Sequence, residues 1–329
     1  PWRTAVRSLL LVLTLLVPTV GAAAEAPREF AVDGWYSWQV AAVDDAPGWC
    51  CVDWNRGRST ATACNLDGKH FNFGNFDDDK PHSAIEGEVQ VYALMRGGEA
   101  VRVRAMSPAC PVESQGPITD LGHVEPAASL AWLRQWVRDD DSNALAAIAL
   151  HRGPESLAFL TDLALHEADT ELREEAVFWL GQARIAESKA TIVDLMFEDP
   201  DPDMRAHAAF ALAQSSAPER TELLIRQGRE DRDADVRGEA WMWLAQSGAP
   251  ESEAAIFAAL REDPSEDGRE QAVFALSELP DDRAVGSLTQ IVRDTGMDLA
   301  IREQALFWLA QSDSDEAFET IEALLSKRD

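Results

Sequence analysis

The chain has 329 residues, more than one ordinary domain, and its 46% apolar content is enough for a sizeable core. It carries 58 Asp and Glu against 29 Lys and Arg, a formal charge of −29. Such a field repels phosphate backbones and anionic membrane surfaces, which argues against nucleic acid and membrane partners and leaves basic proteins, cations and neutral surfaces.

The stretch from Pro1 to Ala24 reads as a secretory leader. Arg3 and Arg7 supply a positive start, Leu9 to Val17 an apolar run, and Ala22-Ala23-Ala24 a small-residue cleavage zone. The run is shorter than the roughly 20 residues of a spanning helix, so the expectation is cleavage after Ala24, export, and no membrane span afterwards. Cys50, Cys51, Cys64 and Cys110 fit an oxidising compartment. With no C-x-x-C pair, a metal or redox site is the weaker reading and a disulfide framework the better one. Neighbouring strand residues point to opposite faces, so Cys50 and Cys51 should take separate partners, Cys64 and Cys110 one each.

Residues 27–115 have the texture of a small β-rich domain, stapled by those cysteines because its core is small. Gly34 to Val40 suits a strand, and two alternating runs around Gly97-Gly98, within Glu88 to Met106, make a hairpin. Cys110 to Pro117 carries the Pro and Gly of a linker. Leu130, Leu133 and Val137 then share a helical stripe, and Ser142 to His151 reads as the degenerate first copy of a repeat, with Asp141 in the Arg position.

Downstream, one segment occurs in five clear copies: Leu172-Arg-Glu-Glu-Ala-Val-Phe-Trp-Leu-Gly-Gln182 and four relatives marked by Arg205, Arg237, Arg269 and Arg302. The marker arginines keep a fixed period with a single slip before the last, the mark of stacked supersecondary units. Ala176, Ala208, Ala240, Ala272 and Ala305 lie one helical turn before Leu180, Leu212, Leu244, Leu276 and Leu309, hence on one helix face. The next position is always small, from Gly181 to Ala310, as close helix approach requires. Aspartates crowd before the arginines, where they cap the new helix, and Pro200, Pro202 and Pro264 stop the old one. A second amphipathic segment comes after each copy, and a lone helix pair cannot bury its apolar face, so the pairs must stack.

The run Asp-Pro-Asp-Pro-Asp-Met-Arg205, with the Ala and Leu columns after it, resembles the HEAT-like repeats common in bacterial proteins. The resemblance covers residues 126–329. It implies a mainly α chain, an α-α superhelix of about six helix pairs preceded by the β domain; with the leader and the cysteines, the expected place is the periplasm, or secretion from a bacterial envelope. It also implies a ladder between repeats from Arg173, Arg205, Arg237, Arg269 and Arg302, with Asp203, Asp235 and Asp267 as the nearest acids.

Trp179, Trp243 and Trp308 hold equivalent places in three copies. An aromatic strip for gripping a partner is one reading. Core packing is the stronger one, because position 179 lies near the buried stripe that Ala176 marks. The Asp-rich loops between repeats read as solvated caps. Asn65 to Asp79 and Asp139 to Asp141 lack the spacing of a calcium loop. His70, His82, His123, His151, His166 and His207 show no metal-ligand spacing and read as surface residues. No G-x-S-x-G, phosphate-cradling Gly-rich loop or Walker lysine occurs, so no catalytic residue, cofactor or metal is expected. The resulting expectation is a non-catalytic exported scaffold for another protein or peptide, one with a basic surface. The rival is a ligand-binding, metal-binding or enzymatic pocket against the β domain, lined by Trp35, Trp38, Trp49 or His70.

Overall fold

A computed structural model describes residues 30, 32–44, 46, 50–55, 58–68, 73–74, 87–137, 143–312 and 314–326. The leader, Trp49, His70, His82, Asn75 to Asp79 and Asp139 to Asp141 lie outside them.

The alternating sequence of the N-terminal strands puts two different apolar sets on the two faces of one sheet. Its strands are β1 (Gly34–Ala41), β6 (Glu88–Arg96), β7 (Glu99–Met106) and β9 (Ile118–His123), in the order β7-β6-β1-β9. β1 pairs antiparallel with β6 and parallel with β9. Tyr36, Trp38, Val40, Val89, Val91 and Val103 face the helices. Trp35, Tyr92, Leu94 and Met106 face the cysteines and Leu66. Short strands complete that second layer: β2 (Cys50–Asn55) pairs with β3 (Arg58–Ala61) and β5 (Phe73–Gly74), and β4 (Cys64–Asn65) with β8 (Val112–Glu113). Disulfides join Cys50 to Cys110 and Cys51 to Cys64. The proline- and glycine-bearing stretch after Cys110 is therefore no linker. It is tied to β2 by a disulfide, pairs as β8, and leads into β9, so the β region extends past residue 115 to His123.

The helices are α1 (Pro126–Leu133), α2 (Ala144–Leu150), α3 (Pro154–His166), α4 (Thr170–Glu198), α5 (Pro202–Ala213), α6 (Arg220–Glu230), α7 (Ala234–Gln246), α8 (Ser252–Glu262), α9 (Glu266–Ser277), α10 (Asp281–Arg293), α11 (Leu299–Gln311) and α12 (Asp315–Ser326). α4 kinks at Arg184, where φ −133° and ψ 17° leave the helical region, and its two limbs form one pair. Together with α2/α3 and the four pairs from α5 to α12, that makes six stacked pairs. The first limb of α4 and helices α5, α7, α9 and α11 pack successively against one another, more closely than α6, α8, α10 and α12 do. The stack therefore bends toward the arginine-bearing helices, and their solvent side forms its inner face. Small residues set that spacing. A Cβ on Gly181 would meet the Ala211 backbone at 2.7 Å.

The sheet and the repeats share one core, in which Trp38, Leu133, Leu145, Leu180 and Leu212 belong to a single apolar cluster. A buried polar chain locks the junction. Trp38 Nε1 donates to Ser129 Oγ (2.8 Å), which lies 2.7 Å from His151 Nε2, and His151 Nδ1 lies 2.6 Å from the Ala147 carbonyl. One proton assignment satisfies every partner: Nδ1–H donates to Ala147, and Nε2 accepts from the Ser129 hydroxyl. Arg184 closes the other side, donating to the carbonyls of His151 (2.7 Å) and Gly153 (3.0 Å) while pairing with Glu187 (2.7 Å). Far from being a surface residue, His151 is fully buried. Its burial was hidden because its partners come from three separate elements.

Burial drives the His151 pKa from 6.5 down to about 4, with the Ala147 carbonyl opposing and the Arg184 charge assisting. Below pH 6.5 the unfolded chain takes up a proton that the folded chain refuses until about pH 4. Stability from this group is thus complete above pH 6.5 and falls with pH across that window, by about 3 kcal/mol in total at about 1.4 kcal/mol per unit. His151→Gln, lacking the titration, should show a flatter stability profile from pH 6.5 to 4 in urea unfolding. A second expectation concerns Gly228, whose α-carbon lies under the Trp241 ring, where a methyl would overlap the indole. Gly→Ala inside a helix ordinarily stabilises by up to about 1 kcal/mol. Here Gly228→Ala should destabilise by about 1–3 kcal/mol in the same assay.

Candidate functional site

Arg173, Arg205 and Arg237 each reach across their own helix pair to an acid at the end of its second helix. Arg173 Nη2 meets Asp199 Oδ2 at 2.6 Å. Arg205 binds Asp231 through two nitrogens (2.8 and 2.9 Å), and Arg237 binds Asp263 the same way (2.7 and 2.8 Å). The next arginine then donates to the backbone carbonyl of the same aspartate: Arg205 to Asp199, Arg237 to Asp231 and Arg269 to Asp263, each at 3.0 Å. The result is an unbroken ladder from Arg173 to Arg269.

The ladder acids are thus Asp199, Asp231 and Asp263, in place of the expected Asp203, Asp235 and Asp267. Those three occupy the first turns of α5, α7 and α9, where they favour the positive helix end. Asp201, Asp233 and Ser265 are the N-caps. The ladder acids also anchor this loop, as Asp199 accepts the Asp201 N–H and Asp231 the Asp233 N–H, each at 2.9 Å. Burial pushes the Asp263 carboxyl up, but hydrogen bonds from Arg237 and Ser265 outweigh it and hold its pKa below the ordinary value. The ladder stops where the period slips. Asp294 ends α10 as Asp199, Asp231 and Asp263 end their helices, and accepts the Gly296 N–H at 2.9 Å, but it stands one residue closer to its arginine in sequence, and Arg269 Nε makes no hydrogen bond among the described residues. Arg302 instead donates to the Val292 carbonyl at 3.2 Å.

With the arginines turned inward, the opposite side of the same helices carries the aromatics. Phe178 stacks on Phe210 (centroids 5.9 Å apart), and Phe210 meets Trp243 (4.8 Å). Further along, Phe274 meets Trp308 (5.0 Å), which contacts Phe307 (5.1 Å). Trp179 joins the first group through Phe178 at 5.1 Å. None of Trp179, Trp243 and Trp308 is fully buried, whereas Trp241, turned away from that side, has no exposure at all. The column is therefore part packing and part surface: the three tryptophans pack against the core and their neighbouring rings and are partly exposed. His207 lies edge-on to Phe210 at 5.5 Å, and burial holds its pKa below the ordinary value against the opposing pull of Glu174. Desolvation, then the charges of Asp203 and Asp235, push Glu239 up.

A separate cavity of about 510 Å³ opens at the end of the sheet, lined by Trp35, Asp33, Asp67, Arg96 and Gln115 among others. Asp67 is already engaged there, accepting from Trp35 Nε1 (3.1 Å) and from the Gln115 N–H (2.6 Å). Trp38 belongs to the shared core instead. Among the described residues, no cluster of His, Cys, Asp and Glu has the arrangement of a metal site. No described helix is long and apolar enough to cross a membrane.

The HEAT repeats family profile matches residues 157–242 and 221–300, so the chain carries HEAT-like repeats. No curated protein matches it. Among solved structures it is similar to human deoxyhypusine hydroxylase in complex with glycerol, at 16% identity and a TM-score of 0.30, over 56% of this chain and 84% of that one.

The ladder makes a sharp energetic prediction. Arg205 and Asp231 side chains are 1% and 3% exposed, so Asp231→Ala strands a buried guanidinium and should cost about 3–5 kcal/mol. Replacing both partners, Arg205→Met with Asp231→Leu, should cost clearly less than Asp231→Ala alone. Chemical denaturation of the wild type, both single variants and the double variant measures the coupling.

Proposed function

We propose that this chain is an exported, non-catalytic HEAT-repeat scaffold that holds another protein or peptide against the inner face of its helical stack. The observation that supports this most directly is two partly buried aromatic groups on the first helices, Phe178 with Phe210 and Trp243, and Phe274 with Trp308 and Phe307. Aromatic rings preordered by their neighbours lose little freedom on binding, which is why such groups anchor interfaces. The formal charge of −29 favours a partner with a basic surface. Two disulfides in the β region fit an oxidising compartment, which supports the export reading. A second reading, a small-molecule site beside Trp35, draws on the cavity of about 510 Å³, a volume within the range of ligand pockets.

The test uses the whole chain, because sheet and repeats share a core. Immobilised protein should retain basic proteins from an exported fraction, and added salt should release them. Phe307 is 53% exposed, so Phe307→Glu leaves the core intact. It and Glu239→Lys should each weaken retention about tenfold. Retention of the same proteins by both variants would refute the inner-face reading.

A further inference from the structure

Four of the five repeat copies close on a glycine or alanine followed by glutamine: Gly181-Gln182, Ala213-Gln214, Ala245-Gln246 and Ala310-Gln311. The fourth copy closes on Ser277-Glu278 instead. The helix end does not require that change, since every other copy forms it without a hydroxyl or a charge. Both altered residues line a cavity of about 460 Å³ between the fifth and sixth helix pairs. Gln311, Ser312 and Ser314, at the end of α11 and in the turn after it, add to its polar lining. Ala284, Val285 and Leu288 of α10, with Trp308 of α11, supply the apolar part.

The polar lining is built to accept hydrogen bonds from a cation. Gln246 Nε2 donates to Glu278 Oε2 at 2.9 Å, which fixes the carboxylate and leaves Oε1 for another donor. Ser277 Oγ commits its hydrogen to the Phe274 carbonyl at 2.6 Å, so toward a ligand this oxygen accepts. Glu278 is the one charged residue among the described lining residues. Trp308 Nε1 is buried, so what the indole offers the cavity is ring carbon, and the face of such a ring attracts a cation.

We infer that this cavity binds a small organic cation, a primary ammonium group on an apolar body. An ammonium brings three donors and no acceptor, which matches the Glu278 carboxylate and the serine oxygens. The apolar body then lies against Val285, Leu288 and Trp308. A carboxylate or phosphate ligand would meet Glu278 as a like charge, and a wholly apolar one would desolvate that carboxylate without compensation. The volume lies within the range of small-molecule pockets. This site goes beyond the scaffold reading and does not rest on it.

Isothermal titration of the full chain tests the assignment with phenethylammonium and hexylammonium as probes. Phenylacetate and phenethyl alcohol are the anionic and neutral controls. Saturable binding of both ammonium ions, with none of phenylacetate, is expected. Glu278→Gln puts back the residue of the other four copies, so it keeps the fold, and it should weaken ammonium binding about tenfold or more. Its thermal midpoint should be unchanged. Phenethyl alcohol should bind weakly and equally to both forms, because it lacks the charge that Glu278 recognises. Ala284→Leu, which fills the cavity, should abolish binding of every probe. Glu239→Lys should leave ammonium binding intact, which separates failure of this site from failure of the inner-face reading. Equal binding of phenylacetate, insensitivity to Glu278→Gln, or no saturable ammonium binding in the millimolar range would overturn the proposal.

Discussion

The arginine–aspartate ladder is the constraint on which the rest of the molecule depends. Arg205 and Arg237 are each held by the carboxylate that ends their own helix pair and by the backbone of the preceding pair, so neither pair can shift without stranding a buried charge. Bidentate geometry restricts rotation as well as distance. That turns a row of apolar contacts, which would tolerate sliding, into a stack with a single register. The same carboxylates order the loop leading to the next cap, linking the end of one helix pair to the start of another.

Because the arginines turn inward, the opposite side of the same helices is left for rings. Phe178, Phe210, Trp243, Phe274 and Trp308 lie on successive helices brought close by glycine and alanine. Surface chemistry and packing thus arise from one spacing. The ladder runs out at Arg269, because Asp294 ends α10 one residue nearer to its arginine in sequence than the earlier acids do, and no ion pair joins the two among the described residues.

The β region is bound to the repeats by a different device. One face of its sheet enters the helical core, and the Trp38–Ser129–His151 chain fixes the contact with polar groups whose geometry leaves little freedom. A neutral histidine suits that position, because a charge there would be buried and would face the repelling Arg184. The opposite face is closed by two disulfides, which serve where too few apolar residues are available.

The sequence by itself determined the repeat architecture, the hairpin from Glu88 to Met106 and the position of the first helices, because the repeat, helix and strand periods are all local properties of the chain. The small-residue column was legible too, and at Gly181 close helix contact demands it. Only the tertiary structure decided which aspartates complete the ladder. Two sets, one just before each arginine and one at the far end of its helix pair, are chemically alike, and the fold alone brings the distant set within hydrogen-bond reach. Likewise, nothing in the spacing of Trp38, Ser129, His151 and Arg184 announced a shared buried network. Those residues meet because the sheet, the first helices and the kink of α4 converge, a long-range fact that no local period encodes.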